Sequence, residues 1–171
     1  MKNAGATKGR RGSAILETAM FIPVLVLLMM GTIELARFTF TYYTLHKIMY
    51  ALARYVSTQQ GVNFCDSADA VVASALSFAL DGTTDNSGVA ILPNLTADMI
   101  SVRIEQADPV TGAINECGCG VPGCDTANGG TPPDYVVVSI PNGYLITPRI
   151  PLVPNTPIAL KPQVRLPYGG T

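Results

Sequence analysis

The chain has 171 residues, with 11 basic and 12 acidic side chains, a formal net charge of −1, 48% hydrophobic residues and only 13% charged ones. Four of the cations, Lys2, Lys8, Arg10 and Arg11, precede Gly12, which leaves seven basic against twelve acidic side chains beyond it, a net of −5. That balance excludes nucleic-acid binding through a basic patch.

From Ser13 to Ile33 the chain is apolar over 21 residues except for Glu17. About 20 apolar helical residues cross a bilayer core. A cleaved secretory signal has an apolar core of about 7–15 residues followed by a small-x-small site, and neither is found here. The stretch therefore predicts an uncleaved transmembrane helix. Its all-positive leader stays in the cytoplasm and everything after it is exported. Glu34 and Arg37 close the apolar run three positions apart, where they can pair on one helix face and are candidates for a helix interface.

A carboxylate inside a membrane segment is rare and usually marks a functional pairing, although a position near the interface can keep it hydrated. If the chain is cut after Gly12, Ser13 acquires a free ammonium group four positions before Glu17, on the same helix face. The carboxylate can then meet its own terminus or that of a neighbouring subunit.

The run RRGSAILETAMFIPVLVLLMMGTIELARFTF, with Arg10-Arg11-Gly12-Ser13, Glu17, Pro23, Gly31, Ile33, Glu34 and Arg37, resembles the TadE/TadG-like pseudopilins of tight-adherence (Flp, type IVc) pilus systems. Ala51 to Tyr55 adds the Ala-Arg-Tyr stretch of the following helix, so the resemblance covers about residues 9–57. It implies cleavage between Gly12 and Ser13 by a prepilin peptidase, with Glu17 as mature residue five acting in assembly. Two departures, Ser13 in place of Phe and Thr18 in place of Tyr after the Glu, favour a minor pilin or pseudopilin over the main filament subunit. The partners implied are the membrane, other pilin or pseudopilin subunits through the N-terminal helix, and the peptidase. The location implied is the bacterial inner membrane, single-pass, with a periplasmic C-terminal domain that can reach the surface within a pilus.

Beyond the membrane Leu45, Ile48, Met49, Leu52, Tyr55 and Val56 recur at helical spacing, and no Gly or Pro intervenes between Gly31 and Gly61. A single helix over 13–58 is expected, with an apolar stripe facing a domain; Pro23 and Gly31 are its soft points. Residues 66–80 read as a second helix capped by Asp66 or Ser67 and ended by Asp81-Gly82. Strands are expected over 99–105 and 134–140, followed by a turn at Pro141-Asn142-Gly143. The tail holds prolines 148, 151, 154, 157, 162 and 167, which confine it to edge strands or extended chain; 158–160 and 163–166 are the expected edge pieces. The division is then a leader (1–12), a transmembrane helix (13–36), its extramembrane continuation (37–58) and an exported domain (59–171). The fold class is α+β and pilin-like, with a small antiparallel sheet covering the helix.

Four cysteines, Cys65, Cys117, Cys119 and Cys124, can be read as a zinc site or as two disulfides. The spacing suits no common zinc knuckle, and an exported domain is oxidising. Adjacent pairing of Cys117 with Cys119 is strained. This leaves Cys65–Cys117 with Cys119–Cys124, or Cys65–Cys119 with Cys117–Cys124, and no metal. Catalytic machinery is not evident: His46 is the only histidine, and no nucleophile motif, phosphate loop or HExxH is present. Glu116, Asp125 and Asp134 lack EF-hand spacing and read as a solvated acidic face. No enzyme and no cofactor is expected. A structural pilin-like subunit and a membrane-anchored exported binding domain outside any filament are the two functional readings, and processing at Ser13 separates them.

Overall fold

The computed structural model describes residues 9–66, 68–85, 87–120, 123–150 and 156–170, with side chains described from Ile15 onward. Lys2 and Lys8 of the leader, the capping candidate Ser67, Asn86, Pro151 and Pro154 lie outside the described residues, as do the side chains of Arg10, Arg11, Gly12 and Ser13.

Helix α1 spans Gly9–Ser57, unbroken through Pro23 and Gly31, and its 49 residues extend roughly 74 Å. Its two halves live in different environments. Every residue from Ile15 to Met30 is exposed. Leu45, Met49, Leu52, Ala53 and Val56 are instead fully buried, with Ile48 beside them. Their spacing of three and four places them on one face, and each large side chain there contributes roughly 1.5–3 kcal/mol by leaving water.

Helix α2 (Ala70–Asp81) packs on that half of α1. Its cap is Asp69 rather than Asp66 or Ser67: the Asp69 carboxylate accepts from the backbone N–H groups of Val71 and Val72, and also from Asn63. Asp66 makes a local turn with the Ala68 N–H instead. Gly82, at φ +82°, closes the helix in the left-handed conformation that its missing Cβ permits.

The main sheet has the order β2-β1-β3-β6 and is antiparallel throughout. Strand β1 is Ser101–Ala107, β2 Ile114–Glu116, β3 Tyr135–Ser139 and β6 Gln163–Pro167. Val136 and Val138 of β3 and Val164 of β6 join the α1 residues in one core, so the sheet covers the helix. On the other face Val137 is paired with Arg103 on one side and Arg165 on the other. Arg165 reaches Glu105 at 2.6 Å and lies over the Tyr135 ring. The prolines obey the edge rule: β6 is an outer strand and ends on Pro167.

A second, two-stranded ribbon pairs β4 (Tyr144–Ile146) with β5 (Ile158–Leu160). The sequence reading places 158–160 at an edge but contains neither β4 nor β2. Tyr144 and Ile146 face the core, and the Tyr144 hydroxyl donates to the Pro93 carbonyl at 2.7 Å. The turn into β4 needs Gly143, at φ +78°, where an added Cβ would come within 2.8 Å of Ala159 Cβ.

Candidate functional site

The domain has one end beside the apolar run of α1 and a distal end away from it, and hydrogen bonds to α1 fix which is which. At Ser57 the helix carbonyl accepts the Gly169 N–H, and the Tyr168 hydroxyl donates to the Gln59 carbonyl. At the other end the Glu34 carboxylate accepts from Arg37 at 3.0 Å and from the Arg149 backbone N–H at 3.2 Å. Arg37 Nη1 also approaches the Thr147 carbonyl at 3.4 Å. The 23 residues of helix between these points measure roughly 35 Å. The β4–β5 ribbon is therefore held at the end of the apolar run.

Glu34 and Arg37, read from sequence as helix-interface candidates, pair with each other and with backbone groups of Thr147 and Arg149 in the same chain. Glu34 is buried although it borders the lipid-type segment, because the domain folds over it. A buried carboxylate needs partners, and it has a guanidinium and a backbone donor. Thr147 and Arg149, the other half of this clamp, carry no motif that announces them. The only sequence signal is Glu34 itself, an acid at the edge of an apolar helix.

Glu17 is exposed on α1, four positions after Ser13 in the same continuous helix. Gly12 also lies inside α1, so the Gly12–Ser13 peptide bond is helical. A glycine costs a helix about 1 kcal/mol relative to alanine, so the helix opens more easily at that point. The surrounding surface is apolar on all sides: Leu16, Met20, Phe21 and Leu28 are each at least 60% exposed. A patch of that extent requires cover by lipid or protein. Among the described residues this is the one helix long and apolar enough to cross a membrane.

The cysteines form two disulfides, Cys65–Cys119 and Cys117–Cys124. They tie the 117–124 loop to the segment leading into α2, at the distal end. Asp125 is buried and caps a short 3₁₀ turn, Thr126–Asn128, by accepting from Ala127 N–H and Asn128 Nδ2. Asp134 accepts from the Ala107 N–H and Glu116 pairs with Arg103. The three acids near the loop therefore each do separate structural work, and among the described residues no three His, Cys, Asp or Glu converge on a metal-sized site. An open cleft of about 480 Å³ beside the loop is lined by Asp108, Asn115, Glu116, the disulfide-bonded Cys117 and glycines, and among the described residues it brings together no nucleophile–base pair. His46 is exposed on α1.

No curated protein and no solved structure matches the chain. The family model described as TadE-like protein matches residues 12–62, which takes in the helical Gly12–Ser13 bond, Glu17, the Glu34–Arg37 pair and the whole core-facing stretch of α1. Over that N-terminal region the chain is TadE-like, in keeping with a pseudopilin of the tight-adherence pilus system.

Proposed function

We propose that the protein is a minor pilin or pseudopilin that takes part in assembling a tight-adherence pilus. A prepilin peptidase removes residues 1–12, the helix from Ser13 stays in the inner membrane, and the domain lies in the periplasm. The observation that carries this reading is the TadE-like match, which begins at Gly12 and runs along α1.

The physical role of each residue follows. The basic leader holds the N-terminus in the cytoplasm. Gly12 presents a scissile bond without a side chain and eases local unwinding. After cleavage the Ser13 ammonium and the Glu17 carboxylate have opposite charges. Glu17 is exposed in the single chain, so its partner can come from the next subunit as well as from its own terminus. A partly desolvated pair of this kind leaves one charge uncompensated when the other is removed, at about 3–5 kcal/mol. The long exposed helix supplies the lateral surface for packing against other pilin helices.

The test replaces Glu17 with Ala and, separately, Gly12 with Val, and reads both variants by immunoblot for the mature form and by counting surface pili. Glu17→Ala should be processed and inserted but should not support piliation, because the pair forms only after the leader has gone. Gly12→Val should remain at precursor mass. Normal pili from Glu17→Ala would remove the carboxylate from assembly and favour a simple membrane-anchored exported domain. Mature Ser13 from Gly12→Val would remove the peptidase step.

A further inference from the structure

Two exposed apolar side chains of the folded domain stand beside the point where the apolar run of α1 ends. Leu145 in β4 is 60% exposed on the ribbon face turned away from the core, and Ile158 in β5, which lies opposite Ile146 on the core-side face, is still 47% exposed at the ribbon's end. They cannot lie high in the periplasm. Ile158 pairs with Ile146, and three residues after Ile146 the Arg149 N–H is bonded to Glu34. Leu145 also borders a cleft of about 320 Å³ with Arg37, Thr41 and Arg149. Arg37 is four residues beyond Ile33, roughly 6 Å along the helix. The headgroup layer on each side of the hydrocarbon core is of the order of 5–8 Å. The ribbon and this cleft therefore stand at headgroup height.

The neighbouring chemistry suits that layer. The Arg149 side chain is exposed at the same level, where lipid phosphates provide counter-charge.

We propose that the β4–β5 ribbon is a lipid-contacting foot: Leu145, on the face turned away from the core, enters the interfacial layer of the outer leaflet of the membrane the helix spans, and Arg149 meets lipid phosphate. The inference rests on the membrane-inserted reading of α1. Its occupant is the lipid surface because the ribbon is clamped to the very residues where the apolar run ends, so lipid is the nearest neighbour once the helix is inserted. The foot would restrict the domain from swinging about its stem, and extraction into a filament would have to release it.

The chain contains no Trp, so a single substitution gives a clean fluorescent reporter. Full-length protein is reconstituted in nanodiscs containing lipids brominated on the acyl chain, one chain per disc. Three variants are compared: Leu145→Trp in the foot, Phe21→Trp in the span and Val110→Trp in the distal β1–β2 turn, where Val110 is 90% exposed. Leu145→Trp should show blue-shifted emission and clear bromine quenching, weaker than Phe21→Trp, while Val110→Trp should show neither. Quenching at Phe21→Trp without any at Leu145→Trp overturns the foot and leaves the membrane reading standing. Absence of quenching at Phe21→Trp overturns the membrane reading and the foot with it. A second copy as occupant is the outcome if Leu145→Trp emission is red-shifted and unquenched with one chain per disc but shifts blue with two, and that result also overturns the proposal.

Discussion

Replacing Glu34 with Ala should loosen the domain from its stem. Two interactions end at this carboxylate: the Arg149 amide at 3.2 Å and the Arg37 guanidinium at 3.0 Å. A hydrogen bond to a charged group contributes about 1.5–3 kcal/mol net, and the longer amide contact belongs at the lower end. The Arg37 side chain is 36% exposed, so its ion pair is screened and adds about 0.5 kcal/mol. Arg149 is exposed and Arg37 keeps the Thr147 carbonyl, so neither donor is stranded when the carboxylate goes. The expected loss is about 2 kcal/mol, or roughly thirty-fold in the opening equilibrium of the segment. Hydrogen exchange at the Arg149 amide, measured on the full chain in nanodiscs, reads this directly. Glu34→Gln should fall between, since it keeps an acceptor and loses the charge. An Arg149 amide exchanging equally fast in wild type and Glu34→Ala would refute the clamp.

Replacing both Cys65 and Cys119 with Ser opens a link across 54 residues and should cost about 4 kcal/mol in the chain-entropy description, read by denaturant midpoint; a loss below that for the Cys117–Cys124 pair, which spans 7 residues, would contradict it. Tyr168 has a phenol held above its ordinary value of 10.0, chiefly by burial and further by the nearby Asp69 charge, against a lowering hydrogen bond from Val62. The folded state keeps this proton longer than the unfolded chain, so the contribution is complete below pH 10 and is lost as pH rises through the folded value; stability should fall in alkali, and Tyr168→Phe should flatten that fall while costing about 1 kcal/mol at neutral pH through the lost bond to Gln59.

The long helix and its core stripe were legible because both obey one period: Leu45, Ile48, Met49, Leu52 and Val56 are buried where a 3.6-residue repeat puts them. The second helix was legible at its end, where Gly82 closes it, but it starts at Ala70 rather than at residue 66, since Asp66, Ser67 and Asp69 are all competent caps. The choice falls to Asp69, whose carboxylate also serves the Asn63 amide, a contact that depends on how the preceding loop folds. Strand β2 left no trace because its three residues are all exposed, so no alternation marks it. Strand β4 was hidden at the head of a proline-rich tail; its partner lies across segment 147–157, and Tyr144 is recruited by a carbonyl 51 residues away. The Cys65 partner was undecidable because Cys117 and Cys119 flank one glycine and differ only in where that loop points. The clamp joins positions 115 residues apart, beyond any local pattern.

The proposed assembly chemistry at Glu17 and the domain docking at Glu34 sit on the same helix but are separable. Glu17 and Glu34 are 17 positions apart, roughly 26 Å along the axis, and each meets a different set of groups: the proposed Ser13 ammonium for one, Arg37 and Arg149 for the other. Sites that far apart with no shared partner add their effects to within about 0.3–0.5 kcal/mol. Glu17→Ala should therefore leave exchange at the Arg149 amide untouched, Glu34→Ala should leave processing at Ser13 untouched, and the double variant should show the Glu34 exchange defect unchanged in size. The reasoning depends on α1 acting as a stem whose lower half reports nothing to the domain. If the double variant exchanged faster at Arg149 than Glu34→Ala alone, by more than that margin, strain would be travelling along the helix through Pro23 and Gly31. The helix would then be a coupling element between the membrane half and the domain rather than a passive stem, and a domain released by events at Glu17 would become the simpler account of how a subunit leaves the membrane.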